Sequence, residues 1–359
     1  MAHSDANAHT PIGRVIGLAV ALAAIVAVIV LAFSWPAVTA EAKDLPIAIA
    51  GPAAAVSAAE DAVDQQAPGA IAFVEVDDRD AAVEAIETRD VYGAIVLGQE
   101  PEVLTSSASS LVVTQLLTGV ATQLEEGVNA QAAAAAEAAG APAAPPHIDV
   151  TVTDVVPLAD TDPRGTGLTA ALFPLVLGGM LGGIAISLVV IGAMRRVLAV
   201  ILYSALGGLA LTAILQLWFG SLQGDYWLNS AGIALALAAI AAPITGFVAL
   251  IGRAGIALGP VVMLLFANPI SAAAIPKEFI AEPWGDVGQW FPPGAAATLM
   301  RELSYFPSAD TTFPWLVLAA WAVGGLLLSV IGHFRTAGGA EPDAEATHAD
   351  EPVEAPAAV

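Results

Sequence analysis

One segment of the chain, from Phe266 to Phe306, concentrates the residue types that could recognise or gate a ligand. Asn268-Pro269 lies late in an apolar stretch, where a proline removes a backbone hydrogen bond and bends or ends a helix. The tryptophans that follow suit a membrane–water interface, because an indole ring buries an apolar face and keeps a polar edge wet. We therefore predict a broken, interface-lying helical segment over residues 276–306, with a plain loop as the alternative. The candidate gate residues are Asn268, Pro269, Pro276, Trp284, Trp290, Pro292, Pro293, Gly294 and Arg301.

Sequence patterns typical of catalysis and metal binding are absent. No GxxxxGKS/T phosphate-binding loop, no GxSxG nucleophile motif and no HExxH metal motif occurs. The chain has no Cys, which excludes disulfides and Cys-ligated zinc, and its five His are scattered without metal-ligand spacing. We therefore expect no catalytic residue, no metal and no cofactor, and a protein that is not an enzyme.

Six long apolar stretches stand out from a chain that is 57% hydrophobic and only 13% charged. A membrane-spanning helix needs roughly 20 apolar residues, because the hydrocarbon core is about 30 Å thick. None of the six stretches contains Asp, Glu, Lys or Arg. Since the backbone in lipid must satisfy its own hydrogen bonds, they are predicted to be helices. The predicted spans are Val15–Trp35, Leu168–Met194, Val197–Phe219, Ala231–Ile251, Ala254–Ala274 and Phe313–His333.

The first apolar stretch has two interpretations. Val38-Thr39-Ala40 is a passable signal-peptidase site. The apolar core before it is longer than the roughly 7–15 residues of a signal peptide, and this favours an uncleaved anchor.

Arginines next to the predicted spans indicate the orientation of the chain. Short cytoplasmic loops of membrane proteins carry an excess of Lys and Arg. With the N-terminus inside, Arg14, Arg195, Arg196, Arg253 and Arg335 all fall on the cytoplasmic side. We therefore predict a multi-pass protein of the bacterial plasma membrane with both termini in the cytoplasm.

Negative charge is concentrated outside the apolar stretches, and the net charge is −23. An acidic surface repels nucleic acid, so no nucleic-acid partner is expected; the lipid bilayer itself is the expected environment. The predicted domains are a cytoplasmic N-terminus (1–14), a first transmembrane helix (15–35), an extracytoplasmic domain (41–164), a five-helix transmembrane domain (168–334) and a disordered acidic cytoplasmic tail (335–359).

Between residues 41 and 164 the hydrophobic period switches repeatedly between that of strands and that of helices. Asp78 or Asp80 can cap the second predicted helix. Strands that alternate with helices predict a mixed α/β sheet with right-handed crossovers. The predicted fold class is therefore a polytopic α-helical membrane protein with an inserted extracytoplasmic α/β domain. The predicted strands are Leu45–Ala50, Ile71–Val76, Gly93–Leu97, Glu102–Thr105 and Ile148–Val156, and the predicted helices are Ala53–Gln65, Ala81–Thr88 and Leu111–Glu125.

Two further patterns concern packing and linkage. Residues 131–146, QAAAAAEAAGAPAAPP, predict a frayed helix end followed by a linker stiffened by proline. In the second span, Gly178, Gly179, Gly182 and Gly183 form two overlapping pairs of small residues that allow close helix approach. Packing within one subunit and packing between subunits fit this pattern equally well.

The run Asn268, Pro269, Ser271 and Pro276, followed by the W-x5-W-F-P-P-G stretch at 284–294, resembles membrane subunits of type-2 ATP-binding-cassette exporters. The resemblance is closer to the related phage-infection-protein family. Proteins of that family share the layout of one span, a large extracytoplasmic domain and five further spans. VYGAIVL, at 91–97, is similar to a strand of the family's outer domain.

The resemblance implies a permease that dimerises and whose separate ATPase subunit docks on cytoplasmic loops. In this chain it implies docking at Arg195, Arg196 and the N-terminal segment, although the cytoplasmic connections here are short. We expect an exporter of amphiphilic or lipid-like cargo, because spans without charged residues do not suit ions. The alternative is a non-transporting surface, receptor or secretion-accessory protein that acts through its extracytoplasmic domain.

Overall fold

The computed structural model describes residues 10–140 and 145–335; most of the predicted N-terminal segment, part of the predicted linker and almost all of the predicted acidic tail lie outside these residues. The strands are β1 (Leu45–Ala50), β2 (Ile71–Glu75), β3 (Ala94–Val96), β4 (Glu102–Thr105) and β5 (Thr151–Asp154). The helices are α1 (Ile12–Val38), α2 (Ala53–Gln66), α3 (Arg79–Glu87), α4 (Leu111–Ala138), α5 (Thr166–Val189), α6 (Ala193–Thr212), α7 (Tyr226–Ile251), α8 (Gly255–Pro260), α9 (Trp284–Gln289), α10 (Pro292–Tyr305) and α11 (Thr312–Arg335). Wide π-helical turns extend α6 over Ala213–Trp218 and α8 over Val261–Ala267.

The predicted mixed sheet is confirmed, with the strand order β2-β1-β3-β4-β5. The pair β3–β4 is antiparallel, and the other neighbouring strands run parallel. Successive side chains of a strand point to opposite faces. In β1, Ile47 accordingly joins the buried cluster that contains Leu117 of α4, whereas Ala48 joins the cluster that contains Ile86 of α3. Helices therefore cover both faces of the sheet.

Three predicted boundaries need correction in the α/β domain of residues 41–164, called the outer domain below after its predicted position, and in its neighbour. Helix α4 does not end at Glu125 but continues to Ala138, because alanine is the strongest helix former and fills its last turns. Strand β5 is shorter than predicted, since only Thr151–Asp154 pairs with β4. The second predicted span is interrupted before Met194, where Gly192 takes a positive φ of 94° and α6 begins.

Within residues 10–140 and 145–335, five helices are long and apolar enough to cross a membrane. One of them is a continuous run of 42 residues, Tyr226–Ala267, that contains the fourth and most of the fifth predicted stretch. A straight helix of that length would measure about 63 Å. The run instead breaks at Gly252 (φ 70°) and returns along α7, so that Gly255 lies against Phe247 and Gly259 lies against Ile244.

The centre of the helical bundle is α7, whose buried alanines, glycines and isoleucines contact α5, α6 and α11. The small residues of α5 are used within the chain. A Cβ atom on Gly179 would lie 2.8 Å from Ile240, and one on Gly183 would lie 2.9 Å from the carbonyl oxygen of Ala241. These contacts assign the glycine pairs of α5 to packing inside one subunit. The sequence did not distinguish this from packing between subunits.

Candidate functional site

The outer α/β domain meets the helical bundle through a buried ion pair between α3 and α10. Arg89 follows the C-terminal end of α3, and its Nη1 lies 3.0 Å from Oε1 of Glu302. Their side chains are only 14% and 10% exposed. The guanidinium also lies 5.7 Å from the centroid of the Phe306 ring. The two partners are 213 residues apart in sequence, so this contact joins two separately built parts of the chain.

A second set of contacts joins the outer domain to the segment between α8 and α9. The hydroxyl of Tyr92 donates to Oε2 of Glu278 at 2.8 Å, and the amide of Lys43 donates to the carbonyl oxygen of Glu278 at 3.1 Å. Lys43 Nζ lies 3.0 Å from Oε2 of Glu282 on the exposed rim. The ring of Phe279 packs against the hydrophobic core of the outer domain. We call this whole set of contacts, together with the Arg89–Glu302 pair, the junction.

Backbone strain in the described residues coincides with the junction. Asp44, Arg89 and Ala272 are the non-glycine residues there that have a positive φ, with values of 51°, 66° and 54°. Such conformations are held in place only when the surrounding structure over-determines them, and they cluster at binding and switching sites. Arg89 and Ala272 both line the cavity at the junction, and Asp44 adjoins Lys43.

Burial controls the charges at the junction. It raises the pKa of the Glu302 carboxyl, an effect that the nearby Arg89 opposes but does not cancel. Oε2 of Glu302 is buried and has no hydrogen-bond partner among the described residues. Burial, reinforced by Arg89, lowers the pKa of the neighbouring Arg301 to about 10, which leaves it charged at neutral pH. Burial also raises the pKa of Tyr92, so its hydroxyl stays protonated and can donate to Glu278.

Two cavities meet at the junction. The larger one has a volume of about 650 Å³ and is lined by charged, polar and apolar residues of both parts, including Arg89, Glu278 and Arg301. A smaller one, of about 280 Å³, lies between the start of α4, the start of α5 and α10. Ser109, Ile275 and Arg301 line both cavities, which therefore form one cleft.

The structure brings the predicted gate residues together beside this cleft. Asn268 ends the helical run, and Pro269 follows it directly, as expected from the missing amide. Pro292 and Pro293 form the first turn of α10, and Gly294 fits against the carbonyl oxygen of Gly288 at a distance that leaves no room for a side chain.

The aromatic residues of the segment hold these short helices together. The ring of Trp284 packs edge-on against Phe266, with a centroid separation of 5.8 Å, and Trp290 packs in the same way against Phe313 at 5.0 Å. The carbonyl oxygen of Trp290 accepts a hydrogen bond from Nε1 of Trp321 on α11 at 2.8 Å. Pro276 begins the turn that leads into this region. The segment is thus a set of short helices, and the plain-loop alternative is wrong.

The two arginines predicted to dock a partner differ in their surroundings. Arg195 is exposed. Arg196 is 4% exposed and donates from Nε to the carbonyl oxygen of Val190 and from Nη2 to that of Ser187, each at 2.8 Å. Arg196 thereby caps the C-terminal end of α5, and Arg195 is the member of the pair whose side chain is presented at the surface.

Sequence reasoning identified Arg301 but missed its junction partners Arg89, Tyr92, Glu278 and Glu302. A signal was present for Glu302, an acidic residue in an otherwise apolar helical pattern, but its partner lies too far away in sequence to be inferred. Sequence reasoning also missed a surface cluster in which the ligand atoms of Glu125, His147 and Asp149 lie within 4.8 Å of one another. Groups this close together could hold a metal ion. Both Glu125 oxygens, however, already contact protein groups, namely the imidazole of His147 and the amide of Val150.

Comparison of the chain with protein-family models, with curated proteins and with solved structures finds no match. The candidate site therefore stands on its own geometry. That geometry is a buried, strained contact between an exposed domain and a set of broken helices, with a polar cleft beside it. Such an arrangement can bind a ligand at the end of the bundle that contacts the α/β domain, and it can transmit a displacement of that domain to α10.

Proposed function

We propose that this chain is the membrane permease subunit of an ATP-driven exporter of amphiphilic or lipid-like cargo, with the ATPase on a separate chain. In this proposal the protein belongs to the type-2 ATP-binding-cassette exporters, near the phage-infection-protein branch, and acts as a homodimer. It crosses the plasma membrane six times and keeps both termini in the cytoplasm. The five long apolar helices, with the reversal at Gly252 inside the longest, support the six crossings.

The observation that carries the proposal is the docking of the outer domain on the broken helices. Glu302 lies on α10, directly after Arg301, and its carboxylate pairs with Arg89 of the outer domain. Helix α10 also packs into the bundle, where Leu299 and Met300 belong to the core that includes Ile233 of α7. Because α10 contacts both parts, a movement of the outer domain would displace the ends of the membrane helices that pack against α10.

This connection suggests how export would be gated. A partner acting at the inner end would rearrange α5 and α6, and the broken segment would release cargo at the outer end when the junction loosens. The Arg89–Glu302 pair suits such a switch, because a buried ion pair contributes little net stability when it is made but is strongly unfavourable when one partner loses the other.

A non-transporting surface or secretion-accessory protein is the second candidate, and one observation favours it. Arg196 is engaged in capping α5, which leaves a small charged surface at the predicted cytoplasmic face for an ATPase to bind. In that case the bundle is an anchor and the outer domain binds the partner. Deleting residues 41–164 would then abolish partner binding without changing cargo efflux.

The proposal is tested by tethering the junction. Because the chain has no Cys, the variant Arg89→Cys/Glu302→Cys can be cross-linked with a short bifunctional thiol reagent without background labelling. We expect the tether to stop efflux of a fluorescent amphiphile from cells, relative to the same variant before cross-linking. The matched control is Arg79→Cys/Glu102→Cys, a pair that lies wholly within the outer domain. Cross-linking it should leave efflux unchanged.

A pull-down from native membranes provides the second arm of the test. Recovery of a nucleotide-binding subunit supports the exporter. Unchanged efflux after junction cross-linking, together with a pull-down that recovers no such subunit, would refute the proposal in favour of the anchored surface protein.

A further inference from the structure

The smaller part of the cleft is electropositive in a strongly acidic protein. The chain has 34 Asp and Glu against 11 Lys and Arg. Yet the cavity of about 280 Å³ is lined by Arg164 and Arg301, and no Asp or Glu is among the described residues that line it. Asp162 is near the cavity but does not line it, and its two carboxylate oxygens accept hydrogen bonds from the amides of Thr166 and Gly167 at 3.0 and 2.7 Å. The cavity therefore favours an anion.

Hydrogen-bond donors reinforce this preference. The cavity is lined by Ser107 to Val112, which include the start of α4. The side chain of Ser110 accepts the amide of Val113, so the amides of Leu111 and Val112 are the ones at this helix start that have no intrahelical acceptor. Helix N-termini attract anions for this reason, and because of the helix dipole. Ser109 is 4% exposed, and its hydroxyl has no hydrogen-bond partner among the described residues. Arg301 adds a planar guanidinium, the group best suited to a phosphate or carboxylate.

An apolar pocket of about 350 Å³ adjoins the electropositive cavity. Leu168 lines both, and on α10 the consecutive residues Met300 and Arg301 face the apolar pocket and the cavity respectively. The other lining residues come mainly from α5 and the end of α6, with one each from α7 and the α6–α7 connection; Ile214 on the wide turn and Phe219 directly after it are exposed. The apolar pocket is thus open at the exposed side of the bundle, between α5 and α6. Wide π-helical turns of this kind are frequent at functional sites.

We infer that the cavity and the apolar pocket together bind an anionic, phosphate-headed lipid. Its head group lies between Arg164, Arg301 and the start of α4, and its hydrocarbon chain lies between α5 and the end of α6. The two volumes together fall within the usual range for ligand sites, which combine an apolar lining with a few converging polar groups. This inference rests on the proposed function for its role as a cargo site, but the binding itself requires no transport.

The binding test uses the full chain in nanodiscs of phosphatidylcholine. The probes are phosphatidylglycerol and phosphatidylcholine that carry the same photoreactive group in one acyl chain, and labelled peptides are located by mass spectrometry. We expect phosphatidylglycerol to label segments 166–175 and 211–222 about tenfold more than phosphatidylcholine, because both head groups carry a phosphate but only phosphatidylcholine also carries a positive charge, which the arginines repel. Equal labelling by the two lipids would overturn the inference.

Two variants test the two halves of the site. Arg164→Ala removes an exposed charge at the cavity and should reduce the preference for phosphatidylglycerol severalfold, whereas Arg79→Ala, in the outer domain, should not. Ala170→Trp fills the apolar pocket and should abolish labelling by both lipids, whereas Ala185→Trp, exposed elsewhere on α5, should leave it unchanged. Labelling that survives both Arg164→Ala and Ala170→Trp would contradict the assignment.

Competition separates a lipid from a free anion. An excess of unlabelled phosphatidylglycerol should suppress the labelling, and inorganic phosphate at the same concentration should not. Suppression by inorganic phosphate would overturn the assignment to a lipid, because the apolar pocket would then contribute nothing. The assay contains no ATP and no partner. Labelling without efflux would therefore refute only the exporter, and efflux without labelling would refute only this site.

Discussion

Replacing Arg89 with alanine should destabilise the junction strongly, because it leaves the buried Glu302 carboxylate without its ionic partner. At an effective dielectric constant of about 20, unit charges separated by the 3.0 Å of this pair attract each other by about 5.5 kcal/mol. Desolvation offsets this attraction, as the raised pKa of Glu302 shows. The intact pair therefore contributes little net free energy, whereas removing one partner costs about 3–5 kcal/mol.

The assay compares thermal unfolding of the full chain in detergent, followed by tryptophan fluorescence, with hydrogen exchange of the α10 amides. Arg89→Ala should lower the melting temperature and speed exchange in α10. Arg89→Met/Glu302→Leu should recover most of the loss, because it removes both charges. Alanine is preferred to glycine at this position, since glycine would also relieve the positive φ of Arg89 and obscure the effect of the charge.

The control is Arg79→Ala, which breaks the ion pair with Glu102 in the outer domain. Arg79 is 46% exposed, so water replaces the lost contact and the effect should be much smaller. The reasoning is refuted if Arg89→Ala is no more destabilising than Arg79→Ala, or if the double variant is no more stable than Arg89→Ala alone.

Three further predictions follow from the same structure. Burial raises the pKa of Glu302 in the folded protein. The stability that this carboxyl contributes is therefore fully present below the ordinary carboxyl pKa and is lost as the pH rises through the raised pKa. Glu302→Gln should flatten this pH dependence of the melting temperature. Gly325→Val should prevent stable packing, because a Cβ there meets the backbone of α7, whereas Gly324→Val, with open space around it, should be tolerated; size-exclusion profiles and melting temperatures distinguish the two. In this cysteine-free chain, single cysteines at Glu60 and Arg195 should react with an impermeant thiol reagent from opposite sides of the membrane, and labelling of both from one side would contradict the proposed topology.

Local patterns in the sequence were sufficient for the elements themselves. Strands β1 and β4 begin and end at the residues predicted from the sequence, and the side chain of Asp78 accepts the amide of Ala81 as a helix cap does. The interruption after Ala267 follows from the proline two residues later. These features depend on neighbours within a few residues, so a single sequence contains the information.

The sequence by itself determined that this chain has long apolar helices, an inserted α/β domain and a proline-broken segment rich in tryptophan. Only the tertiary structure decided what the segment contacts. Arg89 and Glu302 lie 213 residues apart, and Tyr92 and Glu278 lie 186 residues apart, so no local pattern connects them. The same holds for the cavity lined by Arg164 and Arg301, whose preference for an anion arises because folding places both arginines, and no carboxylate of the described residues, in its lining. Burial and proximity are properties of the packed chain, and they change the charge and the role of a side chain without changing its identity.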